Sequence, residues 1–405
     1  MDELYEHVLQ KRNISILSQG GTGKSTLISL LKEKLEETQD LQFHITSTTG
    51  VSAYLIGGRT IHSFSGMGVI QPKHSVQDVM KKIKKNKDAK KRIMECDILV
   101  IDEVSMLQCS YFNMMNECFK LIRKNNTIFG GIQLIVTGDF LQLPPINDQY
   151  VFESDLWHQF NFHDIKLTKL YRFTDETYAS MLSRIRIGKH TPEDNIELFK
   201  RLKAYNELNE SDLYDIQPTF LSSRREDVSS KNKEELDKNP NELVIYLARD
   251  THESKDSVLD LVAPKKIEMK CGAQVMLTIN HSVEEGLTNG SRGVIMKLTS
   301  DTIFVKFMNG MTIPFERHEF KYEENNVTSV RLQFPFMLAY CLTIHKCQGS
   351  TLDCAVVDIG NSVFENHMIY VALSRVKSLD GLYIKSYNPY RIKVDQKVIE
   401  FYGLN

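Results

Sequence analysis

Residues 14–26 read ISILSQGGTGKST, a short apolar run followed by a loop rich in glycine. The loop SQGGTGKST (18–26) departs from the phosphate-binding pattern G-x-x-x-x-G-K-[ST] only at Ser18, which replaces the first glycine. Glycines let backbone N–H groups turn toward phosphates, and the following helix N-terminus favours anions. Ser18 is small and lies at the strand exit, so we expect it to be tolerated with a negative φ. The stretch therefore predicts a nucleotide-binding loop.

The loop residues have distinct expected roles. Lys24 should reach the terminal phosphates, and the Ser25 hydroxyl should bind Mg²⁺. The other residues of the loop that we expect to contact the nucleotide are Gly20, Gly21, Thr22, Gly23 and Thr26.

A pair of carboxylates follows a second apolar run, ILVIDE (98–103). Asp102 is placed to hold the Mg²⁺ together with Ser25, and Glu103 can orient and polarise an attacking water. A glutamate after the aspartate favours hydrolysis over phosphoryl transfer to a metabolite. Loop and carboxylates together predict a Mg²⁺-dependent ATPase or GTPase.

The fold class is predicted from the alternation of apolar runs and helical patterns. Predicted strands are 14–17, 43–46, 98–101 and 132–136, and predicted helices are 24–35, 107–123 and 178–187. This order indicates a parallel α/β sheet, with functional residues after the carboxyl ends of the strands. A further strand is predicted near 219–221. Short runs at 274–315, separated by Asn289-Gly290 and Asn309-Gly310, predict hairpins of a small antiparallel barrel. After about residue 330 the α/β pattern returns, with SVRLQF, CAVVDI and GLYIKS as strands.

The composition and charge of the chain limit the kinds of partner and the cellular compartment that we expect. The formal net charge of the 405 residues is -2, so a polyanion would need a local groove. The segment KKIKKNKDAKKR (81–92) is either a solvated helix face or a basic surface beside a polyanion. The seven cysteines form no C-x-x-C pair, which favours free thiols. The acidic N-terminus lacks an apolar signal core and no long apolar run occurs, so we expect an intracellular, cytoplasmic protein without membrane contact.

Further motifs carry a resemblance to a known family. IQLIVTGDFLQLPP (132–145) ends a buried strand in a polar loop, where Asp139 and Gln142 are expected near the γ-phosphate. Here the chain resembles the petite integration frequency (PIF) family of superfamily 1 (type B) DNA helicases, and the resemblance is nearly full-length. It also covers STTGVSAYLIGGRTIHSFSGMG (47–68), LTKLYRFTDETYASMLSRIRIGKH (167–190), GLTNGSRGVI (286–295), LTIHKCQGSTLD (342–353) and YVALSRVKSLDGLYI (370–384).

The resemblance implies two RecA-like domains with parallel sheets and ATP between them. The implied ranges are 1–187 for the first domain, with a wedge insertion at 69–95, and 188–270 with 326–405 for the second, with a Src-homology-type barrel at 271–325. Lys24, Glu103 and Gln142 are the implied catalytic residues of the first domain. Arg172 and Arg375 are implied arginine fingers, which suits the charge that spreads over the phosphoryl oxygens. Gly349 is an implied nucleotide contact.

The resemblance also implies a path for single-stranded DNA. Its implied residues are Thr48, Thr49, Gly50, His62, Phe64, Thr343, His345 and Lys346. Hydroxyls, backbone N–H groups and lysine bind phosphates without reading sequence. Gly57-Gly58 and the polar neighbours of Phe64 indicate a loop, so we expect its ring to stack on bases.

The implied activity is 5′→3′ movement on single-stranded DNA with unwinding of 5′-tailed or forked duplexes, as the domains grip the strand alternately. G-quadruplex DNA is a further candidate substrate, and the free protein is expected to be monomeric. A phage, bacterial or large-DNA-virus source fits equally well.

Some positions depart from the family pattern. Counted back from Lys24, the position of the glutamine that reads adenine in the family falls at or before Met1, so we expect this element to be missing or trimmed. The sequence therefore does not establish selectivity for adenine. Met368 stands where the family usually has glutamine, and the chain is expected to be close to a bare motor. Alternatives are a translocating ATPase that does not unwind, or one acting on RNA. A small-molecule kinase is disfavoured because no acceptor pocket or lid is visible, and a GTPase because no guanine-reading N-K-x-D occurs. An adaptor protein with an inactive site is disfavoured because the catalytic residues are intact.

Overall fold

The computed structural model describes residues 2–38, 41–68, 70, 73–208, 215–251, 257–282, 284–324, 327–345 and 347–404. Two compact units divide the chain. Unit 1 consists mainly of the residues up to Tyr171 and also includes Glu400–Gly403, and unit 2 consists mainly of the residues from Arg172 onward.

The centre of unit 1 is a parallel sheet of six strands. Its strands are β1 (Ile14–Leu17), β2 (Phe43–Ser47), β3 (Arg59–Thr60), β4 (Ile98–Asp102), β5 (Gln133–Gly138) and β6 (His163–Asp164). They lie in the order β3-β2-β4-β5-β1-β6. In register, Ser47 pairs with Asp102 and Leu17 pairs with Gly138. The loops that follow these strands therefore leave from the same edge of the sheet, as the sequence predicted.

Helices cover the sheet of unit 1. They are α1 (Asp2–Leu9), α2 (Lys24–Thr38), α3 (Gly50–Leu55), α4 (Ile61–Ser65), α5 (Val76–Lys85), α6 (Lys87–Glu95), α7 (Cys109–Arg123) and α8 (Asp155–Gln159). Ile28 and Leu31 of α2 are buried against Ile14, Ile16 and Ile135 of the strands. The β-branched side chains of Ile14 and Ile16 favour extended backbone and pack well on the surface of a sheet. This explains why the apolar run at 14–17 forms a strand and not a helix.

Helices α5 and α6 present a basic surface. Val79, Ile83, Ala89 and Ile93 are fully buried, so the lysines occupy the outward faces of both helices. The exposed lysines are Lys81, Lys82, Lys84, Lys85, Lys87, Lys90 and Lys91, which we call the lysine surface. The predicted wedge (69–95) contains this surface, although 69, 71 and 72 lie outside the described residues.

Unit 2 contains the remaining elements. Its strands are β7 (Thr219–Ser222), β8 (Val244–Leu247), β9 (Arg249–Asp250), β10 (Lys266–Met269), β11 (Gln274–Leu277), β12 (Arg292–Leu298), β13 (Ile303–Phe307), β14 (Thr312–Phe315), β15 (His318–Glu324), β16 (Val327–Gln333), β17 (Phe336–Leu338), β18 (Cys341–Thr343), β19 (Ala355–Ile359) and β20 (Leu382–Tyr387). The helices from Arg172 onward are α9 (Glu176–Arg186), α10 (Pro192–Asn206), α11 (Arg225–Lys238), α12 (Ser257–Val262), α13 (Met368–Leu373) and α14 (Gln396–Tyr402).

Strands β18, β7, β19 and β20 form a second parallel sheet in that order. This confirms the predicted fold class of two parallel α/β sheets. The unit boundary differs from the prediction, since α9 belongs to unit 2 rather than to a first domain ending at 187. The hydroxyl of Tyr178 on α9 donates to the carbonyl oxygen of Leu373 on α13 at 2.6 Å, and both groups are buried.

An antiparallel sheet follows in the order β14-β13-β12-β11-β17, and we call it the inserted β module. Asn309-Gly310 makes the predicted tight hairpin, in which Phe307 N donates to Met311 O at 2.9 Å. Asn289-Gly290 does not form a tight hairpin, because a long connection separates the end of β11 at Leu277 from the start of β12 at Arg292. Gly290 instead has a φ of +100°, and a Cβ there would come within 2.4 Å of Thr351 O.

The prediction that SVRLQF (329–334) belongs to the returning α/β pattern is wrong. Its first five residues lie in β16, which stands between β15 and β9 in a separate three-stranded sheet and pairs antiparallel with β9. In addition, β17 lies beyond the predicted limit of 325 for the barrel. All seven cysteines are free thiols, as predicted. None of the described helices is both long and apolar enough to cross a membrane.

Candidate functional site

The glycine-rich loop of unit 1 connects β1 to α2. Gly21 and Gly23 have φ values of +86° and +83°, which glycine adopts without strain. The ammonium of Lys24 donates to Ser18 O at 2.6 Å and to Gln19 O at 3.0 Å. Thr22 Oγ1 also donates to Gln19 O, at 2.9 Å. These bonds hold the loop curved around the N-terminus of α2, where backbone N–H groups and the helix dipole favour an anion.

Ser18 has a structural role that a glycine could not fill. Its hydroxyl oxygen accepts a hydrogen bond from Leu167 N at 2.9 Å, and its own N–H donates to Gly138 O at 3.0 Å. Its φ is not positive, as expected. The serine therefore fits the loop and ties it to two neighbouring segments.

Asp102 ends β4 almost fully buried, 4% exposed. The Thr137 hydroxyl on β5 donates to its carboxylate. Burial raises the pKa of this carboxyl, against hydrogen bonds from Thr137 and Ser25 and the charge of Lys24. A buried carboxylate beside the Ser25 hydroxyl offers the oxygen ligands that Mg²⁺ prefers. The predicted pair of metal ligands thus fits such an ion.

Glu103 has a backbone conformation that is rare for a residue with a side chain. Its φ and ψ are 53° and 45°, the left-handed region, which costs about 1–2 kcal/mol outside glycine. Its carbonyl oxygen accepts from Met106 N at 3.2 Å and from Thr48 Oγ1 at 3.0 Å. The conformation is therefore fixed by its surroundings, as is common at functional sites.

The loop after β5 is held by its own hydrogen bonds. Asp139 is fully buried and Gln142 is 4% exposed. Gln142 N donates to Asp139 O at 2.9 Å, and Leu141 N donates to Asp139 Oδ1 at 3.1 Å. The Gln142 amide thus lies on a well-packed turn at the carboxyl edge of the sheet.

Most predicted DNA contacts of unit 1 lie beside this site. Thr48 donates two hydrogen bonds to backbone oxygens at the end of β4. Its N–H lies 3.4 Å from the carbonyl oxygen of Asp102, and its hydroxyl donates to the carbonyl oxygen of Glu103. Thr49 Oγ1 caps α3 by accepting from Ser52 N at 3.2 Å. Gly50 begins α3. His62 is half-buried with its ring 4.5 Å from that of Tyr111, and burial lowers its pKa.

The prediction for Phe64 is wrong. Its side chain is fully buried, with ring centroids 5.3 Å from His44 and 6.2 Å from Phe119. The segment predicted as a loop is β3 followed by α4, which Thr60 caps through Ser63 N. The i, i+3 spacing of Ile61 and Phe64 was the sequence signal for a buried helix face.

Both predicted arginine fingers of unit 2 contact Ser374. Arg375 is 1% exposed, and its guanidinium donates to Val371 O at 2.9 Å, to Cys347 O at 3.2 Å and to Ser374 Oγ at 2.7 Å. Arg172 Nη1 donates to Ser374 O at 3.2 Å. Two cations are therefore held close together, mainly by backbone oxygens.

The motif at 342–353 begins within β18 and continues into the loop after it. Thr343 is buried and His345 is half-buried. Gly349 is exposed with a φ of +84°. Lys346 lies outside the described residues. Met368, the departure on α13, is fully buried.

Sequence reasoning missed Thr137 and Ser374. The available signal for Thr137 was a polar residue at the carboxyl end of a buried apolar run, directly before Gly138. The signal for Ser374 was weaker, because only its position directly before Arg375 distinguished it from other serines.

A phosphate loop and paired carboxylates at one edge of a parallel sheet define a P-loop nucleotide-binding protein. The family described as PIF1-like helicase matches residues 1–195, and the domain described as DNA helicase Pif1, 2B domain, matches residues 258–298.

Individual relatives extend over nearly the whole chain. ATP-dependent DNA helicase PIF1 of Danio rerio is 34% identical over 98% of this chain and 62% of its own length. ATP-dependent DNA helicase Pif1 of Bdellovibrio bacteriovorus is 30% identical over 96% of this chain and 88% of its own. The crystal structure of Pif1 helicase from Candida albicans is 32% identical, covers 100% of this chain and 98% of its own, and has a TM-score of 0.78. The chain belongs to the Pif1-like helicase family. It spans about three fifths of the length of the fish relative.

Proposed function

We propose that this chain is an ATP-dependent DNA helicase that moves 5′→3′ along single-stranded DNA and separates duplex. One observation carries the proposal: Lys24, Ser25, Asp102 and Glu103 meet at one sheet edge in a chain of the Pif1-like family. Curated relatives are named ATP-dependent DNA helicases. The direction of movement rests on the resemblance of the motifs.

In this proposal the loop at 18–26 binds the phosphates of ATP. Lys24 exchanges the carbonyl oxygens of Ser18 and Gln19 for phosphate oxygens, which carry full charge and bind an ammonium more strongly. Ser25 and Asp102 hold Mg²⁺, which when bound neutralises charge on the phosphates. The Thr137 hydroxyl orients the Asp102 carboxylate for that role.

Hydrolysis then depends on groups that meet the attacking water and the γ-phosphate. Glu103 accepts the proton of the water, and Gln142 orients it. Arg172 and Arg375 stabilise the charge that develops on the phosphoryl oxygens. The bonds around Ser374 fix the guanidinium of Arg375 in advance, so little reorganisation is needed.

The proposed DNA contacts lie at Thr49, Gly50 and His62 of unit 1, with Thr343, His345 and Lys346 of unit 2. The lysine surface of α5 and α6 contacts the phosphates of the duplex ahead of the single strand. Such contacts do not read sequence and weaken with salt. The proposed substrates are 5′-tailed and forked duplexes.

The decisive experiment compares ATP hydrolysis and strand separation on 5′-tailed, 3′-tailed, blunt and RNA duplexes. We expect separation of the 5′-tailed DNA alone. Equal unwinding from both tails would refute the direction, and hydrolysis without separation would favour a translocating ATPase. Preference for RNA would change the substrate class. A G-quadruplex behind a 5′ tail and a sizing measurement of the free protein complete the series.

Glu103→Gln is the catalytic control. We expect it to bind ATP and DNA while kcat falls at least about 10²-fold, the usual range for loss of a positioned base. Glu95→Gln, an exposed change on α6, should leave kcat unaltered. Rapid turnover by Glu103→Gln would remove the proposed base.

A further inference from the structure

Three consecutive hydroxyls join the end of β2 to the end of β4. Thr46 Oγ1 donates to Val100 O at 2.6 Å, and Ser47 Oγ lies 3.4 Å from Asp102 O. Thr48 Oγ1 donates to Glu103 O at 3.0 Å. The parallel ladder pairs these strands only as far as Ser47 and Asp102. The Thr48 bond therefore extends the connection beyond the sheet, to the residue proposed as the catalytic base.

The position of the Glu103 carbonyl determines ψ of Glu103. That carbonyl accepts the hydroxyl of Thr48 and the N–H of Met106. On the other side, Gly138 approaches so closely that a Cβ there would lie 3.0 Å from Val104 N. Thr48 is thus one of the groups that hold Glu103 in its left-handed conformation, which an unsupported residue would leave.

Thr48 and Thr49 differ in what they can offer a phosphate. Phosphate oxygens accept hydrogen bonds and, in DNA at neutral pH, donate none. The N–H and the O–H of Thr48 are directed at the carbonyl oxygens of Asp102 and Glu103. Thr49 uses its hydroxyl oxygen as an acceptor for Ser52 N, and a hydroxyl that accepts keeps its proton for another partner.

We infer that Thr48 is a positioning residue for hydrolysis rather than a DNA contact, and that Thr49 is its DNA-binding neighbour. Thr49 and Gly50 directly follow Thr48 in the chain, so DNA bound to them shifts the position of Thr48. Because the Thr48 hydroxyl holds the backbone of Glu103, binding of DNA changes the position of the catalytic base. The inference rests on the proposed function, because it assigns a coupling role within that same site.

The test compares Thr48→Val, Thr48→Ser and Thr49→Val. Thr48→Val removes the hydroxyl without changing shape, so we expect kcat at saturating single-stranded DNA to fall about five- to tenfold. Its KM for ATP and its Kd for single-stranded DNA should stay within about twofold. Thr48→Ser keeps the hydroxyl and should restore kcat. Thr49→Val should instead raise the Kd for DNA and lose little kcat once DNA is saturating.

Thr46→Val is the matched structural control. It removes a hydroxyl bond on the same strand but away from Glu103, and should lower the unfolding temperature without lowering kcat. If Thr48→Val raises the DNA Kd as Thr49→Val does, or keeps full kcat, the role of Thr48 is refuted. If the unaltered protein shows no DNA-stimulated hydrolysis, the proposed function fails first. The two failures are therefore distinguishable.

Discussion

Arg172 donates from Nη1 to the carbonyl oxygen of Ser374 at 3.2 Å, although 202 residues separate the two in sequence. The same serine accepts Nη2 of Arg375 on its hydroxyl. One small residue thus organises both arginines proposed to act on the γ-phosphate. This arrangement makes the contribution of each arginine measurable.

Arg172→Ala should abolish most hydrolysis while leaving nucleotide binding nearly intact. Arginine fingers contribute about 10³-fold or more to kcat, because they meet charge that exists only in the transition state. Steady-state kinetics and ATP binding by fluorescence would separate the two effects. Arg249→Ala, an exposed change in unit 2, is the control. A kcat that falls less than about threefold would remove Arg172 from the mechanism.

Unit 1 should lose stability below neutral pH through His44. Burial, then the charges of Arg59 and Arg92, lower its pKa from 6.5 to about 4. Because the unfolded chain binds the proton more readily, the free energy of unfolding is highest above pH 6.5 and decreases as the pH falls toward 4. The full loss is about 3 kcal/mol.

Urea unfolding at about pH 7 and about pH 4.5, on either side of the ordinary histidine pKa, would measure this dependence. His44→Phe should flatten the pH slope, whereas His158→Gln, at an exposed position, should keep it. Identical slopes in all three proteins would contradict the assignment to His44.

Phe64 should matter for stability and not for DNA. Phe64→Leu leaves a partly filled space among buried rings and should lower the free energy of unfolding by about 1–2 kcal/mol. The Kd for single-stranded DNA should stay within about twofold, as expected for a side chain that does not touch DNA. Normal stability with much weaker DNA binding would reverse this conclusion.

The lysine surface should contribute to binding of forked DNA through charge. Lys84→Gln with Lys85→Gln should weaken binding and reduce the slope of log Kd against log salt by about 1–2, roughly one unit for each phosphate that is no longer neutralised. Lys200→Gln with Lys203→Gln, on an exposed face of α10, removes equal charge elsewhere. Equal effects of the two pairs would indicate a general field rather than a contact surface.

Sequence predicted the parallel sheets because buried strands are encoded locally. Ile98–Asp102 and Ile14–Leu17 are apolar runs that end in polar or glycine-rich loops, so their identity needs no distant partner. The chemistry of Lys24, Ser25 and Asp102 followed from the same local pattern.

Other features depend on contacts between distant segments. Asn289-Gly290 is a strong turn signal, yet Gly290 packs against Thr351 instead of closing a hairpin. SVRLQF could pair with either sheet, and only its partners β15 and β9 decide. The role of Thr48 was equally hidden, because its hydroxyl bonds to a carbonyl 55 residues away.

The bond between Ser18 and Leu167 has a consequence for sequence variation. Ser18 contributes a side-chain oxygen, but Leu167 contributes only its backbone N–H, which every amino acid except proline supplies. The bond itself therefore limits position 18 to small hydroxyl residues, whereas at position 167 it excludes only proline, and the apolar side chain there is selected separately by its packing against the core. A reversion of Ser18 to glycine would restore the common motif and at the same time leave an amide without its acceptor.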